Sequence, residues 1–357
     1  MRIFQTFILP DKLVSKYKLS FAAANFSRHL ISGRGFDKVY SLIPINVRHE
    51  IGLVKEDGYE VIYSKWRNKG RIRAKFSIFA EQWKIFKKLK KDDSIWFYNM
   101  NFMNGYLFLL LKFFKPSVKL NIIVLDFTPA KNLTEQNYWF LKLINAADGT
   151  ICLSPSKLFT VKNSIVLPGV VPALNKEYPI ITKPNKEFLL SGIINDTIAM
   201  TELVLEAFSK LPDCTLYITG KILENEDIIK EYTEKYSNIK YFGIISYSEY
   251  LKLLHRVTFQ LSTRNSEMPE NQYNFPSKII EALLHNRIII STIQYSQLKD
   301  IKYMIVGCEN FAENLSHITR MTDNELIHYA NQGDKVQKLF STKVWNKYMT
   351  HIEKNNS

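Results

Sequence analysis

Residues 264–292 read RNSEMPENQYNFPSKIIEALLHNRIIIST. An irregular polar loop runs up to Tyr273-Asn274-Phe275. Pro276 suits the first turn of a helix and Ser277 is a good capping residue, so the spacing predicts a helix over 277–285. The stretch 287–291, with Ile288, Ile289 and Ile290 at its centre, then reads as a buried strand. A helix start presents free backbone N–H groups and the positive end of a dipole, which suits a phosphate. Lys278 adds a mobile cation there. Glu281 follows one turn later, where a carboxylate can accept from two ribose hydroxyls. Taken alone, Pro276-Ser277-Lys278 is only a helix start; with Glu281 and the strand behind it, the segment reads as a ligand site built on a βα unit.

The same alternation of strand and helix extends outward in both directions. Short β-rich runs fall at 2–4, 38–42, 59–63, 94–98, 120–125, 150–153 and 164–167. A second series falls at 187–191, 215–219, 239–242, 258–262, 287–291 and 303–306. Helical stretches lie between most of them, which implies parallel sheets made of βαβ units. Ser246 and Glu249 form a capping box ahead of Tyr247, Tyr250, Leu251 and Leu254 at helical spacing; Thr322 and Glu325 form another. The segment 168–186 carries Pro168, Pro172, Pro179 and Pro184 and reads as a linker. The reading is therefore α/β, with doubly wound domains at 1–170 and 171–341. A C-terminal helix over 342–357 should return to the first domain, with Trp345, Tyr348, Met349 and Ile352 as its docking face. Ligands of such sheets bind at the carboxyl ends of the strands, in this case in a cleft between the domains.

With 357 residues, two domains are the natural division, and 46% hydrophobic residues give each a core. The three cysteines, Cys152, Cys214 and Cys308, lack CxxC spacing, which argues against a disulfide framework or a zinc site. Residues 1–18 lack an apolar signal core and the longest apolar run, 106–114, contains Lys112, so the protein is expected in the cytoplasm. Residues 1–170 hold 27 Lys and Arg against 12 Asp and Glu, a net of +15, while the remainder is close to neutral. That asymmetry points to an anionic partner of the first half. Eleven of those cations lie in 65–91 against the single acid Glu81. There Phe76, Phe79, Ala80, Trp83 and Phe86 recur at helical spacing beside Lys84, Lys87, Lys88, Lys90 and Lys91. The pattern reads either as a basic amphipathic helix for an anionic membrane or as a helix docked on the core with its lysines in water.

The run Asn274-Phe275-Pro276-Ser277-Lys278-Ile279-Ile280-Glu281, with the strand that follows it, resembles the donor site of GT-B glycosyltransferases. The closest likeness is to the retaining group called family 4, in a branch common among bacterial surface-polysaccharide enzymes. Leu190-Ser191-Gly192 resembles the first strand and glycine turn of that donor domain, and Ile218-Thr219-Gly220-Lys221 the next strand and turn. Leu167-Pro168-Gly169-Val170 resembles the turn at the domain crossing, with Pro168 in place of the usual Asn.

The resemblance implies two Rossmann-like domains and a nucleotide-sugar donor of UDP or GDP type, with no cofactor. It implies that Glu281 holds the ribose and that Asn274, Phe275, Pro276, Ser277 and Lys278 lie at the donor. Gly192 would admit the phosphates to the backbone, and Lys221 would stand near the nucleotide. Three further features depart from the pattern. Tyr273 stands where the first Glu of the family's E-x7-E pair would fall. Gly192-Ile193-Ile194-Asn195-Asp196-Thr197 lacks the usual Arg and Lys, for which Arg264 is the candidate substitute. Leu125-Asp126 replaces a His-Asp pair, which leaves Asp126 as the candidate acceptor contact or base.

In the mechanism the resemblance implies, the nucleoside diphosphate leaves and the acceptor hydroxyl attacks from the same face. Lys278 and the helix start would stabilise the departing charge. None of the seven histidines stands in a metal-binding pattern, so the reaction is expected to be metal-independent. A glycan or lipid-linked acceptor is expected at the inner face of the plasma membrane, and nucleic acid is not an expected partner. Two other readings compete: a nucleic-acid-binding protein, favoured by the basic half, and a non-catalytic GT-B partner subunit, favoured by the missing residues.

Overall fold

The computed structural model describes residues 1–8, 21–42, 55–56, 59–62, 71–129, 135–172 and 177–355. Lys65, Arg67 and Lys69 of the basic stretch, and residues 173–176 of the linker, lie outside the described residues. The chain divides into two compact units. Unit 1 comprises Met1–Ala173, Tyr273–Phe275 and Phe340–Ser357; unit 2 comprises Leu174–Gln272 and Pro276–Leu339.

In unit 1 the strands are β1 (Arg2–Thr6), β2 (Lys38–Leu42), β3 (Lys55–Glu56), β4 (Tyr59–Ile62), β5 (Ser94–Tyr98), β6 (Lys119–Val124), β7 (Gly149–Cys152) and β8 (Ser164–Val166). They lie in the order β3-β4-β2-β1-β5-β6-β7-β8. Every pairing is parallel except the two-residue β3, which runs antiparallel to β4 and has no signal in the sequence pattern. The direction of winding reverses between β1 and β5. Central strands such as β5 are buried on both faces, which is why they read as unbroken apolar runs rather than alternating ones.

Unit 2 is all parallel. Its strands are β9 (Glu187–Ile194), β10 (Thr215–Ile222), β11 (Ile239–Tyr241), β12 (Phe259–Ser262), β13 (Ile288–Ser291) and β14 (Met304–Ile305), in the order β11-β10-β9-β12-β13-β14. Winding reverses between β9 and β12. Phe188 of β9 stacks on Phe259 of β12 at 4.5 Å between ring centroids, at the centre of the core.

Both expected capping boxes form, at Ser246/Glu249 and Thr322/Glu325. The Ser277–Leu284 helix begins differently from the expectation. Pro276 is the residue at its N-cap, with extended backbone, and Ser277 is the first helical residue rather than the cap. The proline ring holds φ near the helical value while its missing N–H leaves no donor to satisfy.

The Thr342–Asn355 helix packs within unit 1. Trp345, Met349 and Ile352 are buried, whereas Tyr348 lies on the exposed side. The Trp345 indole donates to the Gly169 carbonyl at 2.8 Å. Glu353 accepts from Ser94 at 2.7 Å and from the Trp96 indole at 2.8 Å, and Arg2 grips both of its oxygens.

Candidate functional site

The carboxyl end of β9, beside β12, is the point where winding reverses in unit 2, and such a point opens a crevice for ligands. Gly192 stands there with φ of +124°. Its register partner on β10 is Gly220, at φ of +142°, and a Cβ on Gly220 would lie 1.8 Å from the Gly192 carbonyl oxygen. Only two glycines let these strand ends approach so closely.

The Ser277–Leu284 helix aims its first turn at this place. A Cβ added to Gly192 would sit 3.5 Å from Lys278 Cε and 3.6 Å from Nζ, so the lysine runs directly past the glycine backbone. Lys278 Nζ lies 5.1 Å from the centroid of the Tyr250 ring, at cation–π distance. Burial lowers the Lys278 amine to about 8, Glu281 works the other way, and the nearby Arg264 charge lowers it further. Arg264 is held at the site by Asn271, whose Oδ1 accepts from Nη1 at 2.6 Å.

Glu281 sits one turn beyond Lys278 and is half-buried. Tyr247, in the Tyr247–Arg256 helix, donates its hydroxyl to Glu281 Oε1 at 2.8 Å. Burial and the Glu281 carboxylate push the Tyr247 and Tyr250 hydroxyls far up, and push Tyr178 up as well. These phenols therefore stay protonated as donors at neutral pH. The buried Tyr250 hydroxyl stands close to the Glu281 carboxylate and to Ser191 at the end of β9.

Of the residues expected from sequence, unit 2 brings together Gly192, Arg264, Pro276, Ser277, Lys278 and Glu281. Lys221 continues β10 past the glycine pair, is exposed, and among the described residues no hydrogen bond or ion pair ties it to Lys278 or Glu281. Asn274 and Phe275 go with unit 1, where the Phe127 N–H donates to Asn274 Oδ1 at 2.6 Å. At helical spacing beside Leu251 and Leu254, Tyr247 and Tyr250 read as core in the sequence, whereas the structure places them beside Glu281 and Lys278. Their hydroxyls were the available signal.

No protein-family model matches the sequence, and no curated protein does. Solved structures do match. Against TarM the identity is 15%, over 84% of this chain and 63% of that one, with a TM-score of 0.58. Against the pneumococcal O-GlcNAc transferase GtfA, solved with UDP and GlcNAc, the identity is 16%, over 78% and 59%, with a TM-score of 0.55. Against the trehalose-6-phosphate synthase OtsA it is 10%, over 99% and 98%, with a TM-score of 0.65. The chain thus spans less than two thirds of TarM and GtfA and nearly all of OtsA. The fold is GT-B.

Each unit of this GT-B chain has features of its own at the carboxyl ends of its strands. In unit 1 a cavity of about 190 Å³ opens there, lined by Asn99, Asp126, Thr128, Asn137 and Phe140 among others. Asp126 is exposed at its edge, and its charge adds to the burial that pushes the Tyr98 hydroxyl up. Asn99, in the left-handed conformation at φ of +50°, accepts from the Leu125 N–H at 2.7 Å and so fixes the turn that carries Asp126. Lys84, Lys87, Lys88, Lys90 and Lys91 are all exposed, Lys90 and Lys91 beyond the end of the Arg71–Lys88 helix. Among the described residues no helix is long and apolar enough to cross a membrane.

Proposed function

We propose that the chain is a glycosyltransferase that moves a hexosyl group from a UDP- or GDP-sugar to a glycan or lipid-linked acceptor in bacterial surface-polysaccharide synthesis. It works in the cytoplasm at the inner face of the plasma membrane, without a metal and with retention, as the resemblance to family 4 implies. The observation that carries the proposal is the grouping of Gly192, Lys278, Arg264 and Glu281 at the switch point of unit 2. It offers backbone approach, two cations and a carboxylate in the order that diphosphate and ribose require. The neighbours solved with UDP, such as GtfA, support the choice of donor class.

In the reaction, the bond from the sugar's anomeric carbon to the diphosphate oxygen breaks and a bond to the acceptor oxygen forms. The electron pair leaves with the nucleoside diphosphate, and the acceptor hydroxyl gives its proton to the Asp126 carboxylate as base. Lys278, Arg264 and the N–H groups at the helix start neutralise the departing diphosphate. Glu281, held by Tyr247, fixes the ribose. Asp126 beside the unit 1 cavity is assigned to the acceptor hydroxyl.

The test is turnover. The protein is incubated with UDP- and GDP-sugars and a lipid-linked acceptor, and nucleoside diphosphate release and product anomer are read. Release that requires acceptor, and that falls in Lys278→Met, supports the proposal. Donor binding with no nucleoside diphosphate release in the presence of any acceptor points to a non-catalytic partner subunit. Salt-sensitive RNA or DNA binding with no nucleotide-sugar binding points to the nucleic-acid reading.

A further inference from the structure

The Arg71–Lys88 and Phe102–Phe114 helices pack against each other in unit 1. Each turns one apolar face inward: Ile78 and Ile85 on the first, Leu107, Phe108 and Leu111 on the second. Gln82 is buried at the junction and donates to the Met103 carbonyl. Each helix also carries a second apolar stripe that, among the described residues, stays exposed.

On the first helix Ile72, Phe76, Phe79 and Trp83 follow at i, i+4, i+7 and i+11, exposed by 72, 62, 36 and 38%. On the second, Phe102, Tyr106, Leu109 and Phe113 repeat that spacing, exposed by 41, 40, 41 and 74%. The stripes join where Phe79 meets Tyr106 edge to face, 5.8 Å between centroids. The result is an exposed apolar surface that runs over both helices, and exposed apolar patches of this kind mark docking sites.

A cationic band borders it. Arg73, Lys84, Lys87 and Lys88 occupy the adjoining face of the first helix, and Lys90 and Lys91 follow its end, all exposed. Glu81, the acid on that helix, is already paired with Lys84 at 2.8 Å. Rings with aliphatic neighbours beside a row of lysines match the two layers of a membrane interface. The rings suit the headgroup–acyl boundary and the lysines suit lipid phosphates. The expectation of a single amphipathic helix is thereby changed. The stripe available to lipid is not the face that builds the core, and it needs both helices.

We propose that this two-helix face docks on an anionic lipid bilayer, with Phe76, Trp83 and Phe113 entering the interface and Lys87, Lys88 and Lys91 on the lipid phosphates. The docking stands on this surface alone. Its role in presenting a lipid-linked acceptor rests on the proposed transferase function.

Co-sedimentation of the full chain with phosphatidylcholine vesicles, with and without phosphatidylglycerol, tests the proposal. Two double variants accompany it: Phe76→Ser with Phe113→Ser, and Lys87→Glu with Lys91→Glu. Melting temperature reports folding, and sedimentation velocity reports self-association. The expected result is binding to anionic vesicles only, weakened by salt and lowered about tenfold by either double variant. A well-folded protein that ignores anionic vesicles overturns the proposal. So does a wild-type dimer that the aromatic variant dissociates, which makes the face a contact between copies, or RNA binding in place of lipid binding. Vesicle binding that persists while no nucleotide sugar binds leaves this surface standing and removes the transferase reading.

Discussion

Tyr247 and Glu281 are joined by a 2.8 Å hydrogen bond from phenol to carboxylate across 34 residues of chain. The bond ties the Tyr247–Arg256 helix to the Ser277–Leu284 helix and holds one oxygen of the only carboxylate proposed to touch the donor. Tyr247→Phe should leave the fold intact and weaken nucleotide binding about threefold to tenfold, the usual worth of one such bond. Glu281→Ala should cost about tenfold or more. In the Glu281→Ala background, Tyr247→Phe should add nothing, because its effect runs through the missing carboxylate. Calorimetric titration of the four proteins checks this.

Lys278 sets the pH dependence. Its amine is ordinarily half-protonated at 10.5 and in the folded protein at about 8. Between those values the unfolded chain keeps a proton the folded chain has released, so its contribution makes stability rise with pH in that window. A diphosphate needs the cation. Nucleotide affinity should therefore fall as pH rises through about 8, by up to tenfold per unit, and Lys278→Met should flatten that profile at a weaker level. Binding measured from pH 6 to 10 reads both effects.

The pair Gly192 and Gly220 predicts a contrast between glycines. Gly220→Ala drives a Cβ into the Gly192 carbonyl at 1.8 Å and strains a backbone at φ of +142°. It should cost about 1–3 kcal/mol for the strained backbone alone, and it should also weaken nucleotide binding because the displaced strand end carries Gly192. Gly243→Ala, at φ of +67° with nothing within 4 Å, should cost about 1 kcal/mol and leave binding unchanged. Thermal melting with and without UDP separates the two.

Glu353 predicts acid sensitivity in unit 1. Burial raises its carboxyl, but the hydrogen bonds from Arg2, Ser94 and Trp96 outweigh it, and the net shift is downward from 4.5. A depressed carboxylate contributes stability that is present above its unfolded value and lost as pH falls through its folded one. Glu353→Gln should be clearly less stable than wild type at pH 7, and the gap should close below about pH 4.5. Denaturant unfolding across that range checks it.

The strand series was legible because buried parallel strands must be apolar on both faces, as β13 is. The helix that carries Lys278 and Glu281 was legible because a helix start ahead of a buried strand is a local feature; the roles of the two residues are proposals. Other parts depended on tertiary contacts. Tyr247 and Tyr250 repeat at the period of a core face, and only the approach of the Ser277–Leu284 helix turns their hydroxyls into site groups. Phe76, Phe79 and Trp83 share that ambiguity, since a helix with two apolar stripes does not state which one the core will take. Asn274 and Phe275 directly precede Pro276, yet they go with the other unit, a division no local pattern encodes.

Unit 2 is proposed to bind a nucleoside diphosphate through Glu281 and Lys278. This binding is tested most directly by calorimetric titration of UDP, GDP and their sugar conjugates into wild type, Glu281→Ala and Lys278→Met. The predicted result is that one base binds wild type, that Glu281→Ala weakens nucleoside and nucleotide alike, and that Lys278→Met weakens the diphosphate far more than the nucleoside. Binding of neither base to a folded wild type, or equal binding to all three proteins, would contradict it.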